Sequence, residues 1–149
     1  MLARIGRVAG GMLGAALQPT GLKPRHIVAL AALRERALTQ SALGDAADVD
    51  ATKLVGLLND LETAGLITRT RDRADRRRHI VALSDAGRAR LEAVDAATRG
   101  VEERLTAGLD AAQRAYLGAL LSHLATNAAA VGNASGFEAD EDGERCPTT

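Results

Sequence analysis

The sequence predicts a mainly α-helical fold with one small β-hairpin, and three observations lead to that class. Aliphatic and alanine residues dominate the 149-residue chain, which holds one tyrosine, one phenylalanine and no tryptophan; such a composition favours helices. Most of the chain carries apolar residues at helical spacing. Only the stretch from residue 66 to residue 84, interrupted by a polar, arginine-rich segment, has the short β-branched runs of strands. The length suits one domain.

Three helices are predicted in the first part of the chain. Residues 2–17 contain too many glycines, and two arginines, for a signal peptide or a membrane anchor, so they are interpreted as an amphipathic helix. A second helix is predicted over residues 22–35, where Pro24 suits a first helical turn. Thr39 is the predicted N-cap of a short third helix.

The stretch from residue 50 to residue 64 is the best-specified helix. Asp50 can cap its first turn, and Val49 can pack against Leu54. Gly65 follows where a helix end needs positive φ. One face repeats leucine at i, i+3, i+4 and i+7, namely Leu54, Leu57, Leu58 and Leu61.

A predicted hairpin over residues 66–71 and 79–84 comes next. Ser84 then caps a long helix that reaches residue 105, and Asp110 caps a final helix with leucines on one face. The apolar seam of the long helix, Leu91 to Leu105, predicts packing against a partner, with packing inside its own chain as the alternative. Helix, helix and hairpin in this order predict a winged helix-turn-helix with terminal helices on both sides.

Three stretches carry a resemblance to a known family: LTQSAL (38–43), LNDLETAGLITR (58–69) and DRADRRRHIVALSDAGR (72–88). On these residues the chain resembles the MarR family of transcriptional regulators, from about Leu22 to Leu124, with Ser84 where threonine is usual. The resemblance implies a homodimer that binds a pseudo-palindromic operator in double-stranded DNA. It also implies a repressor released by a small-molecule effector.

This organisation divides the chain into four predicted segments. Residues 1–20 form an N-terminal dimerisation helix, and residues 21–83 form the winged helix-turn-helix. Residues 84–128 form the long helix and the C-terminal helix, which dimerise, because the winged helix alone cannot cover their apolar faces. Residues 129–149 are predicted to be an acidic, disordered tail.

The net charge of zero conceals a polarised distribution. Residues 69–78 hold six arginines and two aspartates, a local charge of +4. At a hairpin tip this charge predicts contact with the minor groove and with phosphates. The resemblance implies that Asp75 orients a neighbouring arginine, through an expected bidentate contact. The predicted DNA-binding wing residues are Arg71, Arg73, Arg76, Arg77 and Arg78.

Two further groups are predicted to contact DNA. If the leucine stripe of the helix at 50–64 is buried, its outward face can enter a major groove, where Asn59 suits adenine. Gly56 there either permits close approach of the helix or is a neutral substitution. The predicted major-groove residues are Thr52, Lys53, Val55, Gly56 and Asn59. Thr39, Gln40 and Ser41 are predicted to contact a phosphate.

No enzyme, cofactor or metal site is predicted. His26, His79 and His123 lie in three separate elements, and the single cysteine, Cys146, lies near the end of the chain; neither pattern suits a nucleophile or a metal. One cysteine predicts a cytoplasmic protein. No membrane partner is predicted, because residues 2–17 lack the uninterrupted apolar run of an anchor. The rival function is a winged-helix module that binds proteins or effectors and DNA only weakly, since Val55, Gly56 and Asp60 make the outward face poor in DNA-binding side chains.

Overall fold

The computed structural model describes residues 1–72, 75 and 77–135, and the predicted wing residues Arg73 and Arg76 lie outside them. The described residues form six α-helices, a short 3₁₀ helix at Gln18–Thr20 and three β-strands. The helices are α1 (Leu2–Leu17), α2 (Pro24–Ala32), α3 (Gln40–Ala47), α4 (Ala51–Thr63), α5 (Asp85–Leu105) and α6 (Ala111–Ser135). The strands are β1 (Leu38–Thr39), β2 (Ile67–Arg71) and β3 (His79–Leu83).

The chain forms two compact units, of which the first is Met1–Leu105 and the second begins at Thr106. The first unit contains a core of aliphatic side chains from α2, α3, α4, the sheet and α5. Its largest fully buried side chains are Leu30, Leu43, Leu58, Leu61 and Val81. The predicted mainly α-helical fold with a small hairpin is confirmed.

Helix α4 begins and ends as its sequence predicts. The Oδ1 atom of Asp50 accepts hydrogen bonds from the amides of Thr52 and Lys53, at 3.0 and 2.9 Å. At the other end Gly65 has a φ of 69°, and the amide of Leu66 donates to the carbonyl oxygen of Leu61 at 2.9 Å. This pairing satisfies a carbonyl that the end of the helix leaves free. The four predicted stripe leucines are all buried.

The three strands form one antiparallel sheet in the order β1-β3-β2. Strands β2 and β3 are the predicted hairpin, with Ile67 opposite Leu83 and Arg71 opposite His79. Strand β1 was not predicted, since two residues are too few to show a period. It pairs Leu38 with Val81 and Thr39 with Ile80, directly before α3. This pairing fixes the start of α3 near the loop end of the hairpin, because Ile80 is next to the last pair before the loop.

Helix α5 starts against the end of α4. The Oγ atom of Ser84 accepts from the amide of Gly87 at 2.9 Å, which confirms the predicted cap, and donates to the carbonyl oxygen of Gly65 at 2.6 Å. A Cβ atom on Gly87 would lie 2.0 Å from the carbonyl oxygen of Leu66. The first turn of α5 therefore needs a glycine.

The seam of α5 is covered by its own chain. Leu91, Val94 and Val101 are buried, and α5 packs against α1 and α2. The prediction that these three residues need a partner is wrong, because α1 folds back along α5 and supplies the apolar surface. Arg34 and Asp95 add a bidentate ion pair between the end of α2 and α5, with N–O distances of 2.7 and 2.9 Å.

Two predicted boundaries are corrected. Helix α2 ends at Ala32 and not at residue 35, because the amide of Leu33 turns to the carbonyl oxygen of Leu30, 3.2 Å away. Helix α6 continues to Ser135, into the segment predicted as a tail from residue 129. Alanines at 128–130 sustain the helix there, since alanine has the highest helix propensity. The rest of that predicted tail, residues 136–149, lies outside the described residues.

Candidate nucleic-acid interface

The outward face of α4 carries the residues predicted for a major groove. Thr52, Lys53, Val55, Gly56 and Asn59 are all exposed, above the buried leucine stripe. The exposed fraction of Val55 reaches 46%. The amides of Lys53 and Thr52, with the ammonium of Lys53, hold the pKa of Asp50 below its usual range, so Asp50 stays ionised as a cap. The structure therefore presents all five predicted residues on one surface.

Gly56 faces open space. A Cβ atom built on it would have no neighbour within 4 Å. The fold of this chain therefore places no steric demand for glycine at this position, and both interpretations of Gly56 remain predictions.

A cleft joins the start of α3 to the hairpin. It has a volume of about 570 Å³, and Thr39, Gln40 and Ser41 line it together with Arg77 and Arg78. The hydroxyl of Thr39 accepts from the amide of Ala42 at 3.2 Å and thereby caps α3. The cleft thus brings the predicted phosphate contacts beside two of the predicted wing arginines.

His79 also lines this cleft, at the start of β3. The sequence assigned it no contact with DNA. Its position follows from the antiparallel pairing with Arg71, which sets both residues at the loop end of the hairpin. The cleft therefore has an imidazole beside its two guanidinium groups.

Asp75 organises the loop between β2 and β3. Its Oδ1 atom accepts from the amide of Arg77 at 3.0 Å, and its Oδ2 atom lies 3.5 Å from Nε of Arg78. The loop is closed by the amide of Asp72, which donates to the carbonyl oxygen of Arg78 at 3.0 Å. Among the described residues Asp75 thus orients Arg78 through one guanidinium nitrogen. The expected bidentate contact with a neighbouring arginine stays a prediction, because Arg73 and Arg76 lie outside the described residues.

Arg71 and Arg77 are exposed arginines of the hairpin. Neither side chain forms an ion pair with another described residue. Exposed positive charge of this kind attracts phosphates.

Arg69, on β2, is a site residue that sequence reasoning missed. Its Nη2 atom donates to Oδ1 of Asn59 at 2.8 Å, and its Nε atom donates to Oε2 of Glu62 at 2.8 Å. The pairing with Arg69 lowers the pKa of Glu62. A signal was present in the sequence, since Glu62 and Arg69 are opposite charges on either side of the turn at Gly65.

His26 links α2 to α4. It is 8% exposed; its Nδ1 atom accepts from the amide of Lys23 at 3.3 Å, and its Nε2 atom lies 3.6 Å from Oδ2 of Asp60. That distance is too long for a hydrogen bond, so Nε2 has no such partner among the described residues. Burial and the nearby Arg25 lower the pKa of His26, although Asp60 opposes the shift.

A second cleft lies between α1, α2 and α5. It has a volume of about 660 Å³ and is lined mainly by aliphatic side chains, among them Leu13, Ile27 and Val94. Gly10 and Gly14 of α1 form part of its wall, and Gln18 and Thr98 are the polar residues in the lining. This surface suits an apolar ligand.

Neither a metal-binding cluster nor a membrane-spanning helix is found among the described residues. No group of three or more histidine, cysteine, aspartate or glutamate side chains among them is arranged to hold a metal ion. No described helix is both long enough and apolar enough to cross a bilayer.

The fold and this interface define a winged helix-turn-helix protein, with α3 and α4 as the two helices and β2 and β3 as the wing. Comparison with known proteins agrees. The sequence model that describes the MarR family matches residues 20–78 of this chain. A putative transcriptional regulatory protein for the hcr operon of Thauera aromatica is 37% identical over 87 residues, which cover 58% of this chain. That match spans about half of the relative, 52% of its length.

Solved structures of transcriptional regulators are similar to this protein over most of the chain. A probable transcriptional regulator from Pseudomonas aeruginosa is 35% identical, with a TM-score of 0.63 over 83% of this chain and 96% of that one. The transcriptional repressor CouR, bound to a 23-mer DNA duplex, is 32% identical, with a TM-score of 0.72 over 85% of this chain and 89% of that one. The chain belongs to the MarR family of transcriptional regulators.

Proposed function

We propose that this protein is a dimeric, sequence-specific DNA-binding repressor that acts in the cytoplasm and releases DNA when a small molecule binds. The observation that carries the proposal is the cleft that joins the start of α3 to the wing, because Thr39, Gln40 and Ser41 there face Arg77 and Arg78. Helix amides, hydroxyl groups and guanidinium groups are the usual ligands of a DNA phosphate.

The surface next to this cleft supports duplex DNA as the partner. Ala51 and Leu54, from the first turn of α4, also line the cleft. A phosphate held there would therefore lie beside the helix whose outward face carries Thr52, Lys53 and Asn59. Base edges in a major groove would then meet α4, while the wing follows the neighbouring backbone. The mechanism is binding, and no catalytic step is proposed.

Similar proteins support both DNA binding and the binding of a small molecule. CouR has been solved with DNA and, as the Rhodococcus jostii RHA1 protein, with p-coumaroyl-CoA. Exposed apolar residues on α1, such as Leu2 and Ile5, and on α6, such as Leu120 and Leu124, support the dimer. The single cysteine supports a reducing compartment.

A salt titration tests the DNA-binding proposal. A duplex that the full chain enriches from a randomised pool is compared with an unrelated duplex, for the wild type and for Arg77→Ala and Arg78→Ala. We expect the enriched duplex to bind more tightly, and each substitution to reduce the slope of log affinity against log salt concentration by about 0.9 per lost phosphate contact.

The matched control is Arg104→Ala, at the far end of α5. Arg104 is exposed and lies about 30 Å along the helix from Ser84, at 1.5 Å per residue, so its removal should leave the slope unchanged. The protein-interaction module would be favoured if both duplexes bind equally weakly and if Arg77→Ala and Arg78→Ala leave the slope of log affinity against log salt concentration unchanged.

The apolar cleft between α1, α2 and α5 is the proposed effector site. Gly14→Leu would fill it, since the position lines the cleft and a Cβ atom there meets nothing within 4 Å. Gly6→Leu is the control, because Gly6 also faces open space on α1 but does not line the cleft. Compounds from a panel of neutral apolar and anionic aromatic molecules that release DNA from the wild type should still act on Gly6→Leu and fail on Gly14→Leu. Release from both variants alike would exclude this cleft.

A further inference from the structure

We propose that Arg69 is a positioning residue for base readout: it fixes the side-chain amide of Asn59 so that Asn59 presents hydrogen-bond donors to the DNA. This inference rests on the proposed function and names the base edges that α4 recognises. It assigns to Arg69 a role that differs from that of the other arginines of the hairpin, which bind phosphates.

The geometry places Arg69 behind Asn59. Arg69 lies in the middle of β2, opposite Val81, and its side chain is 23% exposed. From there its guanidinium reaches two side chains on α4, Asn59 and Glu62. These two residues are three positions apart and therefore share one face of the helix. One strand residue thus holds two helix residues.

Hydrogen-bond chemistry fixes the direction of the Asn59 amide. A guanidinium has five N–H donors and no acceptor, so only the carbonyl oxygen of the amide can face it. The Oδ1 atom is therefore directed at Arg69, 2.8 Å from Nη2. The Nδ2 atom, with its two hydrogens, is at the opposite end of the amide. It has no hydrogen-bond partner within the described part of the chain, and Asn59 is exposed.

A fixed donor selects among base edges. In the major groove the acceptors are N7 of both purines, O6 of guanine and O4 of thymine, whereas cytosine presents the N4 donor. Asn59 oriented by Arg69 therefore favours a purine or thymine and opposes cytosine at the position it faces. This narrows the adenine contact predicted from the sequence, because a bidentate pair with adenine needs Oδ1 and Nδ2 side by side at the base edge.

Glu62 makes Arg69 a poor ligand for a DNA phosphate. Its carboxylate lies against the guanidinium of Arg69, which offsets the positive charge. A neutralised pair attracts DNA phosphates only weakly. Loss of Arg69 should therefore change base selectivity and leave the salt dependence of binding nearly unchanged, the reverse of what is expected for Arg77.

The experiment measures base preference at each operator position. The full chain is used to enrich duplexes from a randomised pool, and the position that loses its preference in Asn59→Ala is assigned to Asn59. Arg69→Met, which keeps an unbranched side chain without donors, should lower the preference at that position about fivefold and leave the others unchanged. In the Asn59→Ala background Arg69→Met should have no further effect there, because the amide that Arg69 orients is gone.

Asn59→Asp tests the same inference with Arg69 intact. One carboxylate oxygen can keep the contact with Arg69, so the outward group becomes an acceptor and the preferred base should change to cytosine. This variant decides the question even if Arg69→Met does not fold.

Three results would overturn the inference. If Arg69→Met lowers the preference equally at all positions, or lowers the salt slope as Arg77→Ala does, Arg69 only anchors the hairpin or binds phosphate. If Asn59→Asp does not turn towards cytosine, the amide is not held in this direction. If the wild type enriches no sequence, the proposed function itself fails and the inference with it; selective binding without these changes removes the inference alone.

Discussion

His26 is a titratable side chain held between two helices of the DNA-binding unit. Its Nδ1 atom serves the start of α2, and its Nε2 atom approaches Asp60 of α4 without a hydrogen bond. Burial favours the uncharged ring, and so do the positive charges of Arg25 and Lys23, while Asp60 favours the charged form. Because burial is the largest of these effects, the pKa of His26 is lower in the folded state than the ordinary value of 6.5.

This shift predicts a pH dependence of stability. Below pH 6.5 the unfolded chain binds a proton at this histidine more readily than the folded chain does, so stability falls as the pH falls from 6.5 towards the folded pKa. His26→Gln keeps an acceptor for the amide of Lys23 and removes the titration. Urea unfolding of the two proteins at several pH values between 7.5 and 5.5 should show a smaller loss of stability for the variant. Parallel curves would show that His26 does not contribute.

Single residues differ in how far the sequence predicts them. The cap at Asp50 and the positive φ at Gly65 depend on neighbours along the chain, so local pattern suffices. The contact of Arg69 with Asn59 depends on β2 lying across the end of α4, which no local pattern encodes. For Asp75 the family pattern predicts an orienting carboxylate, whereas its contact with Arg78 depends on how the loop between β2 and β3 closes.

At the scale of elements, the junction of α4, the turn and α5 is closely packed. Gly87 packs its backbone against the carbonyl group of Leu66, and the amide of Ser84 donates to that same oxygen at 3.1 Å. Any side chain at residue 87 would have to move this backbone.

Gly87→Ala is therefore expected to destabilise the protein by about 3 kcal/mol, at the upper end of overpacking effects, because the atom in its way is backbone and cannot rotate aside. Gly100→Ala, on the same helix, is the matched control: its Cβ would meet nothing within 4 Å, so the higher helix propensity of alanine should add up to about 1 kcal/mol. Urea unfolding measures both. Equal stability of the two variants would contradict this account of the junction.

Elements with a long apolar period were predicted well, and short or compositionally mixed ones were not. Helix α4 was predicted closely because four leucines, a cap and a glycine agree with one another. Strand β1 was missed because its two residues gain their conformation from β3. The end of α6 was placed too early because Gly132 and Asn133 resemble helix breakers, although the alanines before them continue the helix.

At the scale of the whole molecule, exposed apolar surface remains on both units. On α1 it includes Leu2, Ile5 and Val8. On α6 it includes Tyr116, Leu120, Leu121 and Leu124, which follow one another at helical spacing. The predicted seam on α5 is already used inside the first unit, so the dimer we propose depends on these two helices.

Leu120→Glu should therefore weaken the dimer at least about tenfold, because it would place an unpaired charge in an apolar interface. Ala119→Glu is the control, since residue 119 lies about 100° around the helix from residue 120, away from the leucine stripe. Light scattering after size-exclusion chromatography at several concentrations should give a dimer for the wild type and Ala119→Glu, and a monomer for Leu120→Glu. A monomeric wild type would remove the dimer from the proposed function.

One hydroxyl group closes the end of α4 and opens α5. Because Ser84 donates to Gly65 and accepts from Gly87, the two helices cannot change their mutual angle without breaking one of these bonds. A rotation of α5 that keeps both bonds would therefore have to carry the end of α4 with it.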